Sequence, residues 1–435
     1  MTDLARLDGT VFAPGSPGYE ANRRPANVAY HDVRPRLVVS CRSTSDVVAV
    51  VSYAATAGER LAVRGGGHCF AGRSSTDGIV LDLSELNDVT VAADGVATIG
   101  AGARLGQVYP ALHAHGRTLP AGCGPTVGIT GLTLGGGIGL LGRQYGLTCD
   151  RLVGAQVVLA DGSVVNCDDA HEPKLFWALR GAGGGQFGVV TALQFATVPE
   201  PLTTRVEAWW SDVAVERVMA AWQAWAPDAP DQLTVNLAVI AEPGEPVAVT
   251  AFGAATLPEA DTHGLLREFT QLAGLPPVTE LIPDMPVHRL KASFSDSGEP
   301  GRAVRIRSEF FTRPMPDDTL ASLTSDLTAG PIHTTRQLSF TAMGGAYDRV
   351  PVGATAFAHR GQRFLLEHTA AAGDPWVDRS WHAAHGDASG RVYPNFPDLE
   401  LDDWPAAYHA ENHARLVEVK NAYDPHRFFR FPQSL

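Results

Sequence analysis

At 435 residues the chain exceeds what one ordinary hydrophobic core supports, so two domains are expected. With 45% hydrophobic and 19% charged residues it has the composition of a globular protein. Its net charge of −13 is spread over interspersed acids and bases, which excludes the basic patch that nucleic acid or an anionic membrane requires.

No apolar run reaches the roughly eighteen residues of a spanning helix, and the opening MTDLARLDGTVFAPG lacks the basic and apolar regions of a secretory signal. Five cysteines, odd in number and free of CxxC, argue against a disulfide framework and give no zinc-ligand spacing. A reducing cytoplasm is the expected compartment, with no metal.

In chain order, Ser43-Thr44-Ser45 caps a predicted helix, Asp46–Ala57, whose Val47, Val48, Val51 and Ala54 share one face and which Gly58 closes. A strand, Leu61–Val63, then runs into Arg64, three glycines and His68, followed by a Gly-Arg-Ser-Ser turn. Three glycines strip the backbone of Cβ atoms, so an anion can approach the main-chain N–H groups. Arg64 and Arg73 are expected to flank that surface and His68 to stand at its rim, an arrangement suited to a diphosphate beside a reactive ring. A tight loop with an ordinary surface histidine is the other reading of these residues alone. Strands at Ile79–Leu83 and Thr98–Ala101 and a helix at Leu105–His115 complete an α+β pattern.

The second glycine cluster, AGCGPTVGITGLTLGGGIGLLGRQYG over 121–146, contains a formal dinucleotide fingerprint at Gly137, Gly139 and Gly142, with Asp161 at the spacing of a ribose-binding acid. Residues 143–152 lack the helical period that the fingerprint needs. Asp161-Gly162 reads instead as a type I′ turn between strands Ala155–Leu159 and Ser163–Asn166. Another match from Gly183 to Gly188 leads into a strand, Val189–Thr191, again the wrong order. No GxxxxGK[ST] occurs.

From Pro199 the glycine clusters thin, and strands such as Leu233–Ala241 and Val247–Ala251 mix with helices such as Val215–Ala226. The tail carries Tyr393-Pro-Asn395-Phe396, then a helix begun at Asp402–Pro405 and running to about Ala422. The expected organisation is 1–199 as one domain, 200–384 as an inserted α+β domain, and 385–435 returning to the first.

Taken together, the chain resembles the berberine bridge enzyme-like FAD-linked oxidases of the vanillyl-alcohol oxidase/PCMH flavoprotein superfamily. The resemblance is nearly full length. It rests on RGGGHCFAGRSS (64–75), PTVGITGLTLGGGIG (125–139), YGL (145–147), HEPKLFWALRGAGGGQFGVVT (171–191), YPNF (393–396) and LVEVKNAYDPHRFFRFPQS near the end.

The resemblance implies an α+β fold: a two-lobed PCMH-type FAD-binding domain built from both chain ends, with an inserted substrate domain. It implies FAD joined covalently through His68. It assigns cofactor contacts to Arg64, Gly65, Gly66, Gly67, Cys69 and Ser74, then to Gly124, Val127, Gly128, Thr130 and Gly131. Gly135, Gly136, Gly137, Gly139 and Val189 follow, and Asn395 is expected to hold the ring.

Two positions depart from the family pattern. Relatives with a second flavin link carry a cysteine immediately before Pro-Thr-Val-Gly; here Gly124 stands there and Cys123 lies one residue early, so a single link is expected. The residue after Asn395 is Phe396 where tyrosine is common, which leaves Tyr393 as the candidate base. Arg307, His288 and His359 are candidates to assist it.

The implied reaction removes hydride from an alcohol, hemiacetal or amine carbon of a bulky small molecule and passes the electrons to O₂, giving H₂O₂. Val127, where the family's oxidases tend to have valine, favours O₂ as acceptor. Gly124 is expected to leave room beside the ring. An oligosaccharide substrate, a drug-sequestering flavoprotein with little turnover and a dehydrogenase with a protein acceptor remain alternatives.

Overall fold

A computed structural model describes residues 3–210, 214–274, 276–294 and 303–435. The first of its three main sheets has the strand order Thr10–Phe12, Leu37–Ser40, Ile79–Asp82, Leu61–Arg64, with all pairs after the first parallel. Its crossover helix, Thr44–Ala57, starts where the Ser43 hydroxyl accepts from Asp46 N–H and ends at Gly58, whose φ of 64° lets its N–H turn back onto the Ala54 and Ala55 carbonyls. The buried face is Val47, Val50, Val51 and Ala54; Val48, expected there, is only half-buried.

The second sheet is antiparallel, ordered Val89–Val91, Val96–Gly100, Val189–Ala196, Leu152–Val158, Val164–Cys167. Its hairpin at Asp161-Gly162 corrects the expected turn type. Type I′ needs positive φ at both central residues, and here only Gly162 (φ 82°) has it. Gly162 N–H bonds Leu159 O and Leu159 N–H bonds Ser163 O, so the loop is a type I turn closed by a glycine bulge.

The third sheet has seven antiparallel strands, all drawn from residues 202–371, ordered Val278–Pro286, Leu202–Trp210, Ala248–Ala255, Leu233–Ala241, Arg336–Ala342, Phe364–Ala371, Val304–Phe311. Alternation gives it two unlike faces. Val235, Leu237, Leu338, Phe340, Leu366 and Phe311 point into an apolar core under the helices that include Val215–Trp225 and Asp317–Thr328. Phe310 and Leu365, on the other face, pack with Leu147, Cys149 and Tyr393 of the first lobe.

The C-terminal tail docks back on the first lobe, contributing Leu416 and Val419 to the core under the second sheet and Phe429 to that of the first. The single tail helix expected from the sequence is broken. It runs Trp404–His409, turns at Ala410 (φ 50°), and resumes at His413–Tyr423. Among the described residues no helix is long and apolar enough to cross a membrane, and all five cysteines are free.

Candidate functional site

The strand Leu61–Arg64 delivers the glycines of 65–67 to the edge of the first lobe. Gly67 has φ 75°, and a Cβ there would meet Ala26 N at 2.9 Å. Gly66 and Gly128 lie backbone against backbone, so close that a Cβ on either would overlap the other's amide nitrogen. The two motifs at 64–75 and 125–139 therefore form one cradle. His68 sits half-buried at its mouth, its Nε2 3.0 Å from Thr126 Oγ1. Among the described residues, no protein acceptor engages the amides of Gly65, Gly66 and Gly67. Among the described residues, apart from chain neighbours and the helix's own backbone, no heavy atom lies within 4 Å of where a Cβ would stand on buried Gly183 or exposed Gly131. An unengaged amide nest, an imidazole at its edge and open space beside it fit the diphosphate and ring of a flavin dinucleotide.

Several of the expected contact residues are held by protein partners. The Arg64 guanidinium faces inward and donates to the carbonyls of Ser74 (3.1 Å), Asn22 (2.6 Å) and Arg23 (2.9 Å), so it supplies no cation to the cradle. Arg73 lies over the Phe431 ring at 4.6 Å. In the second motif three donors are already engaged: Gly136 N–H bonds Thr133 O, Gly137 N–H bonds the Tyr393 hydroxyl, and Gly139 N–H bonds the Tyr347 hydroxyl. Gly137 and Gly139 are glycines because Thr148 and Ala121 fill their Cβ positions. Thr130 donates to Ala101 O at 2.9 Å, and the Val189 side chain is buried in the first sheet's core. Ser74 is buried, and the Cys69 carbonyl accepts from Asn27 Nδ2 at 3.3 Å.

The shifted cysteine is half-buried. Cys123 packs against Leu140, Ala254 and Leu290, the last two from the inserted segment. The room expected at Gly124 is filled by a Val127 methyl, 2.9 Å from its Cβ position.

The YPNF segment closes the site from the other side. Asn395 covers Gly135, where a Cβ would overlap its amide, and donates to Leu132 O and the Tyr393 hydroxyl, both at 2.9 Å. Phe396 meets Phe70, two residues from His68, edge-to-face at 5.7 Å. Tyr393 is 4% exposed, and its oxygen accepts from Gly137 N–H (3.0 Å), Ile138 N–H (3.1 Å) and Asn395. Burial pushes its pKa up to about 12, against the pull of these three donors. A phenol so held is a poor proton acceptor at neutral pH, which weighs against Tyr393 as the base.

The three expected helpers separate in space. Arg307 is consumed by Asp398 (2.7 Å), Asp378 (3.1 Å) and the face of Trp381. His288 lies at the junction with Glu200 and His113. Only His359 joins the cluster, against Phe310 and Phe357; burial lowers its pKa to about 3, so it is neutral and offers no charge.

A residue missed in the sequence is Glu367. It shares the face of Leu365 that meets the first lobe, and stands in register between Ser308 and Ser339. Its only sequence signal was alternation along 364–371, unreadable without knowing which face of the sheet meets the flavin lobe.

This cradle on a two-lobed α+β frame defines a flavin-dinucleotide oxidoreductase of the PCMH type. The family models "FAD binding domain" and "Berberine and berberine like" match residues 35–168 and 392–435. The chain is 33% identical over 448 residues to the uncharacterised FAD-linked oxidoreductase YgaK of Bacillus subtilis, covering 100% of this chain and 98% of the relative. It is 30% identical over 460 residues to berberine bridge enzyme-like 1 of Arabidopsis thaliana, covering 92% and 84%. Among solved structures, a glucooligosaccharide oxidase of Acremonium strictum matches with TM-score 0.88 and 26% identity over 100% of this chain and 97% of the other. A second structure of that oxidase, from work on the functional roles of its 6-S-cysteinyl, 8α-N1-histidyl FAD, matches with TM-score 0.88 and 25% identity over 100% of this chain and 98% of the other. The chain belongs to the berberine bridge enzyme-like family of FAD-linked oxidoreductases, and FAD is its cofactor.

Proposed function

We propose that this protein is a flavin-linked oxidase of a bulky small-molecule alcohol, hemiacetal or amine, with FAD attached through His68 alone. Residues 1–199 and 385–435 form the flavin lobe, and 200–384 the substrate lobe. When bound, FAD supplies the hydride acceptor and returns the electrons to O₂ as H₂O₂. The amides of Gly65–Gly67 bind the diphosphate, and the Thr126 hydroxyl orients the His68 ring for attachment. Asn395, fixed by Leu132 O and Tyr393, positions the ring. Cys123, packed toward Leu290, supports single attachment, and Val127 beside Gly124 supports O₂ as acceptor.

The observation that carries the reading is the row Ser308, Glu367, Ser339 on the one face of the large sheet that turns toward the cradle. Glu367 takes the substrate O–H or N–H proton as hydride leaves the adjacent carbon, and the serines orient the substrate. Tyr393 acts as a positioning residue. Five free cysteines, three of them buried, suit a cytoplasmic setting.

Polar Asn236, Gln337 and Thr341 on that same face favour an oligosaccharide as the second reading.

Acid precipitation tests the attachment. Yellow colour should stay in the wild-type pellet and leave with the supernatant of His68→Ala; colour retained by the mutant pellet would sink the single link. For the reaction, substrates are screened by O₂ uptake. Glu367→Gln should then keep its flavin spectrum and lower kcat about 10²–10⁴-fold with KM little changed. An unchanged kcat would remove Glu367 as the base, and stoichiometric binding without H₂O₂ would favour a sequestering protein.

A further inference from the structure

The three elements that meet at the base of the inserted lobe carry a side-chain cluster that the flavin chemistry does not use. The helix Leu105–His113 of the flavin lobe ends in His113. Glu200 follows Val198–Pro199, where the chain crosses from one lobe to the other. The helix Val287–Ser293 of the inserted lobe presents His288 in its first turn. One ligand atom from each of these residues lies within 4.8 Å of the other two. The carboxylate lies beside both imidazoles: His113 Nδ1 is 2.5 Å from Glu200 Oε2, and His288 Nδ1 is 4.0 Å from Glu200 Oε1. The rings face one another at 4.1 Å.

A mere ion pair leaves part of this arrangement unexplained. Among the described residues His288 Nδ1 is buried with no hydrogen-bond partner, and its distance from the carboxylate is too long to count as one. Two imidazoles in contact beside one carboxylate would repel when both are protonated, whereas neutral rings around a dication satisfy all three groups. Glu200 is braced as a ligand should be: its Oε1 accepts from Val287 N–H at 3.0 Å, on the helix that carries His288. With side-chain exposures of 42% for His113, 10% for Glu200 and 24% for His288, the cluster is shielded on one side and open to solvent on the other. That leaves an entry path and a fourth position for water.

We propose that His113, Glu200 and His288 form a binding site for one zinc-class divalent cation that ties the inserted lobe to the flavin lobe. Two imidazoles and one carboxylate suit zinc, nickel or copper and discriminate against magnesium and calcium, which prefer oxygen. Zinc bonds of about 2.0–2.1 Å put tetrahedral ligand atoms about 3.3 Å apart, so binding needs the Glu200 carboxylate to swing about 1 Å off His113. The sequence hid the site: His113 and Glu200 are 87 positions apart, and no short spacing joins either to His288.

The consequence is mechanical. The helix Val287–Ser293 is already fastened to the flavin lobe by Lys291, whose ammonium donates to Ala121 O at 2.6 Å. A metal one turn away would fix both ends of the contact on which the inserted lobe closes.

The test uses tag-free flavin-loaded protein, dialysed against a chelator, titrated with zinc chloride and gel-filtered before elemental analysis. Wild type should retain about one zinc per chain, and His288→Ala and Glu200→Gln less than about a tenth of that. Zinc should raise the wild-type Tm and slow amide exchange in 105–113 and 287–293, with neither change in the variants. His113→Ala, altering the most exposed ligand, checks that loss of metal is not loss of fold, because its flavin content and metal-free Tm should match wild type. A wild type that keeps no zinc, or variants that keep a full equivalent, would overturn the proposal. A magnesium titration with equal retention would do so as well.

Discussion

Glu309 places a carboxyl 3% exposed on the helix-covered face of the large sheet, both its oxygens 3.0 Å from His385 Nδ1. Burial raises its pKa to about 7, opposed by the hydrogen bond from His385. A carboxyl with a raised folded pKa binds more protons folded than unfolded, so its contribution is fullest below the unfolded value and falls as pH rises from there to about 7. A shift of that size is worth roughly 3 kcal/mol. Glu309→Gln should therefore match wild type in Tm near pH 4.5, become the more stable protein as pH rises to about 7, and keep a constant advantage above that. A Tm difference independent of pH would contradict this. Glu309 also shows where sequence reading stops. Its neighbour Phe310 points to the flavin lobe and Glu309 away from it, and the same parity turns Glu367 inward. Strand alternation is legible in the letters, but which parity faces the flavin lobe is fixed by tertiary packing. The glycines and His68 were legible because chain order alone puts three Cβ-less residues after a strand. Arg64 was misread because the carbonyls that bind it, at Asn22 and Arg23, sit in a segment without a motif.

Among elements, the tail is held by a buried charge. Lys420 and Asp424 are both fully buried, with the ammonium 2.7 Å from the carboxylate. The ammonium also donates to Phe429 O at 2.7 Å and to Gln186 O of the glycine loop after Arg180. Asp424 in turn accepts from the amides of Phe428 (2.8 Å) and Phe429 (3.0 Å). Lys420→Met strands the carboxylate and should cost about 3–5 kcal/mol in urea unfolding, with earlier flavin release where attachment is blocked by His68→Ala. A loss below about 1 kcal/mol would mean that the tail is held by apolar packing alone. This element was half legible. Asp403 and Pro405 announced a helix start, and Asp403 does cap Ala406 N–H. Its break at Ala410 was invisible, because alanine is the best helix former and only packing forces φ of 50° there. The Asp161-Gly162 turn failed in the opposite way: the letters fix a turn, while the loop's length and bulge select its type.

For the whole molecule, the question is whether two lobes with separate cores unfold as one. Two buried arginines answer it from opposite sides. Arg143 leaves the flavin lobe on the short helix Gly142–Tyr145 and is 1% exposed. Its guanidinium donates to carbonyls of the inserted lobe at Leu233 (3.2 Å), Pro227 (2.8 Å), Ala229 and Met343. Arg360 of the inserted lobe returns a bidentate pair to Asp150, at 2.6 and 2.9 Å. Neither was singled out from the sequence: Arg143 binds backbone oxygens, which leave no pattern of side-chain types, and Arg360 pairs with an acid 210 positions away. The lobe boundary is therefore crossed by groups too costly to expose singly, each stranded carbonyl losing about 1–3 kcal/mol. Calorimetry of flavin-loaded wild type should give one cooperative transition. Arg143→Met, which keeps the volume and removes the donors, should lower Tm and separate two transitions, with flavin absorbance changing in only one. A single transition at the wild-type temperature would mean that the apolar contacts of Phe310, Leu365 and Tyr393 suffice to couple the lobes, and that Arg143 only satisfies local carbonyls.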